Sequence, residues 1–187
     1  MALAICANRV DLPMPGSPAT STTLSLNAPA AGMAAYASYT WNPGAVNTAL
    51  KVNERDWIKE FYDKFVIPEL TSRKLEYKTV QQTSWYKIDT QVNAVYEKGD
   101  LAIACHLNAG PAAATGTEVL HSGSVNGERL AKLVNTAIVK TLGLKDRGLK
   151  VITREDRGGR LVVETKPPCI LPELFFLSNA NDHKVGT

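Results

Sequence analysis

The chain has 187 residues, 44% hydrophobic and 21% charged, a length and balance that fit one globular domain with a packed core. A net charge of +3 with a pI near 8.7 suits an anionic partner such as cell-wall polymer or nucleic acid, but only mildly. No apolar stretch approaches the roughly 18 residues of a membrane span, and Cys6, Cys105 and Cys169 form neither a C-x-x-C pair nor a disulfide framework.

Arg9 and Asp11 are the only charged residues before Lys51, so 37 of the 39 charged residues fall in the last 137 positions. Residues 12–49 are rich in Ala, Ser, Thr, Pro and Gly and keep no helical or strand period. This composition predicts a poorly ordered arm over 1–41, followed by a structured domain over 42–187. No continuous apolar core precedes a small-residue cleavage site, so a secretory signal is not expected.

From Asn53 the pattern becomes regular. Trp57, Phe61 and Phe65 recur at helical spacing, Asn53 is a good N-cap, and Glu54 and Asp56 put negative charge in the first turn. Pro68 is expected to end or kink this helix. Leu75 to Val80 alternates as a half-buried strand, and Ile88 to Glu97 reads as a helix closed by Gly99. Leu101 to Cys105 is a continuous apolar run, expected as a strand buried on both faces. Thr117 to Leu120 follows as a strand, then a helix from about Glu128 to Leu142 stopping at Gly143. Leu161 to Thr165 and Cys169 to Phe176 read as two more strands. The alternation predicts a single α/β domain, a twisted and mostly parallel sheet flanked by helices.

In such a sheet, ligands bind beyond the carboxyl ends of the strands, so polar residues that end apolar strands are examined first. His106 ends one strand and is followed by Asn108 and the Ala109-Gly110 loop, a place for a metal ligand, a proton carrier or a hydrogen-bonded structural residue. Glu173 lies among Leu171, Leu174, Phe175 and Phe176, where desolvation raises a carboxyl pKa and favours proton transfer; Pro172 leaves open an edge residue facing water. Glu54 opens a helix, where dipole capping alone would explain it.

Several blocks occur in an order that resembles the zinc-dependent N-acetylmuramoyl-L-alanine amidases of phage and prophage lysins. These are Pro43-Gly44-Ala45-Val46-Asn47 with Asn53-Glu54, and the run from Gly99 through His106-Leu107-Asn108-Ala109. Gly116 to Leu120, Arg147-Gly148, and Leu171 to Asn179 with Asp182 complete the set. The resemblance implies a hydrolase that cuts the amide between muramic acid and L-alanine in peptidoglycan. It implies Zn2+ held by His, Glu and His, with Glu54 and His106 as two ligands and Glu173 as the catalytic acid/base. The implied setting is a lysin made in the cytoplasm that reaches the wall after release, with murein as partner and neither nucleic acid nor membrane insertion.

The sequence departs from that family at both ends. The family's first ligand is a His just before the Pro-Gly-Ala loop, but here the chain reads Tyr39-Thr40-Trp41-Asn42, and no His precedes His106. The first strand is therefore expected to be missing or altered; only His121 and His183 remain as possible substitute ligands, with His121, which ends a strand, also a candidate substrate contact. The chain stops at Thr187, where the family continues into a closing helix, so the last helix is also expected to be missing or altered. Two alternatives remain: a degenerate amidase that acts at most as a wall-binding module, and a cysteine hydrolase using Cys105 or Cys169. Strand alternation opposes the second, because Cys105 should face away from His106.

Overall fold

A computed structural model describes residues 3–6, 34–37, 43–80 and 87–187, the first two segments as backbone strands. In chain order the elements begin with β1 (Leu3–Cys6), β2 (Ala34–Ala37), β3 (Val46–Asn47) and β4 (Val52–Asn53). Helices α1 (Glu54–Phe61), α2 (Ile67–Ser72) and α3 (Ile88–Val95) follow, with a π turn at Tyr62–Val66 joining the first two. Then come β5 (Ala102–Asn108), β6 (Thr117–His121), α4 (Val125–Leu142), β7 (Asp146–Val151), α5 (Gly159–Glu164), β8 (Cys169–Phe176) and α6 (Ala180–Gly186).

Six strands form one sheet in the order β2-β1-β5-β8-β6-β7. The expected α/β class holds, but the strand directions are mixed rather than mostly parallel. β5 and β8 pair in parallel, as do β6 and β7, whereas β6 runs antiparallel to β8 and β1 antiparallel to both β2 and β5. Only the helix-free segment 109–116 joins β5 to β6. A parallel return needs a crossover of a dozen or more residues, so this short link reverses the chain.

β1 lies beside β5, antiparallel to it, through Leu3↔Cys105 and Ala4↔Ala104, and the short helix α6 follows β8. The predicted disorder of 1–41 otherwise lies outside the described residues.

Local signals account for the helix ends. Asn53 caps α1 by accepting from the Asp56 N–H at 3.0 Å. Pro68 does not end the helix. A π turn precedes it and it falls in the first turn of α2, where a missing N–H is tolerated. Ser124 caps α4 by accepting from Gly127, starting that helix three residues before the expected Glu128, and Gly143 ends it at φ +64°.

Two expected strands are absent. Residues 75–80 form no strand, and Leu161 to Glu164 is helical in α5. There the β-branched pair Val162-Val163 suggests a strand, but Leu161 and Val162 are buried against α3 and β8, and Arg160 is tied to Asp89 at 2.9 Å. Tertiary packing outweighs propensity in so short a segment.

The core lies on both faces of the sheet. One face packs Ala102, Ala104, Cys169 and Leu171 against Val92 of α3 and Val162 of α5. The other packs Cys105, Leu107, Leu174 and Phe175 against Ile58 and Tyr62. Phe175 is fully buried, with the Trp57 ring edge-on at 5.1 Å.

Candidate active site

The first face becomes polar at the carboxyl end of β5. Strand alternation puts Ala102, Ala104 and His106 on that face, and the parallel register sets His106 directly beside Glu173 on β8. On the other side of β8, Glu118 of β6 is the register partner of Glu173. His106, Glu173 and Glu118 therefore form one row across three adjacent strands.

Glu54, the first residue of α1, reaches this row from the side. It is 1% exposed, and its Oε1 accepts from His106 Nδ1 at 2.6 Å and from the Leu107 N–H at 3.2 Å, while Oε2 accepts from the Ala45 N–H at 2.8 Å. Gly44 makes this possible: at φ +72°, a Cβ there would stand 2.2 Å from Glu54 Oε2. Burial alone would raise the Glu54 carboxyl, but the hydrogen bond and charge of His106, helped by the Ala45 N–H, hold it down at about 2. Glu54 is thus ionised at neutral pH, and His106 donates from Nδ1.

Two polar atoms in the row are buried and lack a hydrogen-bond partner among the described residues, His106 Nε2 and Glu173 Oε2. Native interiors rarely leave such atoms unpaired, and here the two fall on residues at neighbouring register positions. Burial pushes the Glu173 carboxyl up to about 8; the charges of Glu54 and Glu118 add to this and Arg157 opposes it. The edge alternative, a carboxylate facing water, is not what its position provides.

Glu118 is itself held. Its Oε1 accepts from Asn108 Nδ2 at 2.7 Å and its Oε2 from Arg147 Nε at 3.0 Å, bridging β5, β6 and β7 above β8. This network joins residues on three strands that no local pattern connects. Glu118 itself carries a local signal, because, like Glu173, it is a carboxylate inside a short apolar strand.

His121 is not brought to this site. It lies three residues after Glu118 on β6, on the opposite face by alternation, and its Nδ1 accepts from the Gly123 N–H at 3.2 Å. The third histidine, His183, is on α6 beside Phe175 and Trp57, also across the sheet. Cys105 likewise faces away from His106 into the other core, and burial pushes its thiol up to about 11, which removes it as a nucleophile at neutral pH. Cys169 is buried in the first core with its thiol pushed up to about 12 by the same cause.

These positions bear on the zinc. The chain holds three histidines, and a His-Glu-His set cannot form around Glu54 and His106 when the other two lie across the sheet. Among the described residues no cluster of three or more metal-binding side chains exists. Glu54 Oε1 and His106 Nδ1 stand 2.6 Å apart, as a direct hydrogen bond; two tetrahedral zinc ligands would be separated by about 3.4 Å. The described residues do not complete the expected zinc site.

Comparison with known proteins places this architecture. A sequence profile of the N-acetylmuramoyl-L-alanine amidases matches residues 39–186. The uncharacterized protein YqiI of Bacillus subtilis (strain 168) is 32% identical over 94 residues, covering 48% of this chain and 43% of that protein. The N-acetylmuramoyl-L-alanine amidase LytC of the same organism is 28% identical over 104 residues, 53% of this chain and 20% of LytC. The matches thus span less than half the length of these curated relatives. The crystal structure of an N-acetylmuramoyl-L-alanine amidase from Clostridium difficile 630 superimposes with a TM-score of 0.65 at 22% identity, covering 78% of each chain, which establishes the shared fold. The described helices include none long and apolar enough to cross a membrane. The chain belongs to the N-acetylmuramoyl-L-alanine amidase family.

Proposed function

We propose that the chain is a peptidoglycan hydrolase that cleaves the amide between N-acetylmuramic acid and L-alanine, with residues 42–187 as its catalytic unit. The observation that carries this reading is the buried row in which the Glu54–His106 pair adjoins Glu173, leaving His106 Nε2 and Glu173 Oε2 unpaired.

Amide hydrolysis needs a group that takes a proton from water and gives one to the departing amine. Glu173, with its carboxyl raised to about 8, is ionised in a minor fraction at neutral pH, and in that form it takes a proton from the attacking water and passes it to the leaving L-alanine nitrogen as the C–N bond breaks. Glu54 fixes the His106 ring, so that Nε2 is the nitrogen directed to water or substrate. The resemblance implies Glu54 and His106 as zinc ligands, but the third ligand is not supplied by the described residues, and no step is assigned to a metal. The setting of a phage or prophage lysin, acting on murein after release, rests on the motif resemblance alone.

The test is release of new L-alanine amino termini from purified peptidoglycan, with added zinc and with chelator, by this chain and by Glu173→Ala. Release by the wild type and a loss of about 10²–10⁴-fold in the variant are expected. A folded wild type that releases nothing under either condition would overturn the amidase reading in favour of a degenerate, wall-binding homologue.

A further inference from the structure

We propose that Arg147 forms a carboxylate-binding subsite beside the catalytic row, and that its ligand is a free carboxylate of the peptide stem on the leaving side of the scissile amide. This rests on the amidase reading.

Arg147 sits on β7, two strands from Glu173, and its side chain crosses β6 to reach the site. The guanidinium carbon lies 4.9 Å from the centre of the Phe176 ring, and Nε donates to Glu118 Oε2 at 3.0 Å. Glu118 is anchored at its other oxygen by Asn108, and its side chain is 11% exposed against 34% for Arg147. The arginine is therefore held at Nε and along one flat face, and its terminal nitrogens have no partner among the described residues. A planar fork fixed in this way, with its outer edge open, is preorganised for a carboxylate's two oxygens. A purely structural ion pair with Glu118 would need neither the aromatic platform nor the open edge.

The position selects the ligand. Phe176 follows Glu173 by three residues on β8, about 10 Å of strand. An extended peptide covers that length in about three residues, so an anion over Phe176 belongs within about three residues of the bond being cut. The N-acetylated glycan on the acyl side carries no charge. The nearby anions of the substrate are carboxylates of the stem, the first being the α-carboxyl of the γ-linked D-glutamate, which follows L-alanine. This group is free in some walls and amidated in others, so Arg147 would read that difference.

The experiment is calorimetric titration of the full chain with N-acetylmuramoyl-L-alanyl-γ-D-glutamyl-L-lysinamide and with the same peptide amidated at the glutamyl α-carboxyl, for wild type, Arg147→Gln and Arg147→Lys. The wild type should bind the acid about tenfold or more tighter than the amide, a difference that Arg147→Gln abolishes and Arg147→Lys partly restores. The wild-type ratio does not depend on any variant folding. Equal binding of both ligands overturns the subsite and leaves the amidase reading intact, whereas binding of neither overturns both. A preference that survives in Arg147→Gln assigns the carboxylate to another residue and also overturns the proposal.

Discussion

Strand β8 faces two environments within four residues. Glu173 looks onto the side where α1 delivers Glu54 and β5 delivers His106, and Phe175 looks into the aromatic cluster with Trp57 on the other side. Both positions are withdrawn from water, but only one satisfies its neighbours. Phe175 packs into an apolar cluster with Trp57, Ile58 and Tyr62, whereas around Glu173 a carboxylate oxygen and an imidazole nitrogen lack partners among the described residues. Both faces carry apolar core, but only the face with Glu173 also holds buried polar atoms without partners among the described residues.

The sharpest way to break this comparison is to cut into the apolar face. Phe175→Ala should cost about 3–5 kcal/mol and lower the melting temperature by roughly 6–20 °C. A drop under about 3 °C in a thermal melt would mean that this face does not carry the fold.

The next effect lies at Glu173, in chelated protein. Its folded carboxyl is raised to about 8 from an ordinary 4.5, so the folded chain binds this proton more tightly than the unfolded one. The resulting stability is fully present below about 4.5 and is lost as pH rises through 8. Glu173→Gln cannot ionise, so denaturant titrations should find the variant and wild type changing in parallel below pH 4.5. By pH 9 the variant should have gained about 4–5 kcal/mol relative to the wild type. Parallel pH profiles across the whole range would show that Glu173 is solvated.

The smallest effect sharpens how Glu54 is seated. Gly44 and Gly143 both have positive φ, but a Cβ at Gly44 meets Glu54 Oε2 at 2.2 Å and one at Gly143 meets nothing within 4 Å. Gly143→Ala should cost about 1 kcal/mol and Gly44→Ala more, about 2 kcal/mol, in the same denaturant titration. Equal costs would show that Glu54 yields without penalty.

Much of the site was legible because it follows short-range rules. Apolar runs ending in His106 and interrupted by Glu173 mark strands whose polar residues must be satisfied or used, and Asn53 announces the helix that starts with Glu54. Alternation alone put Cys105 on the face away from His106. What failed depended on distant partners. Leu161 to Glu164 has strand-like residues but finds its burial as a helix against α3 and β8, and residues 75–80 alternate without a neighbouring strand to pair with. His121 ends a strand just as His106 does, yet three residues of register from Glu118 turn it to the other face.

The sequence by itself determined the class of fold, the order of the blocks from Pro43 to Asp182 and the identities of the carboxylates and the imidazole, since these rest on local periodicity and residue chemistry. Strand direction, the pairing of His106 with Glu54, its register beside Glu173 and the reach of Arg147 over Phe176 were decided only by the tertiary structure. Each of these depends on how segments tens of residues apart come to lie side by side, and no local pattern encodes that distance.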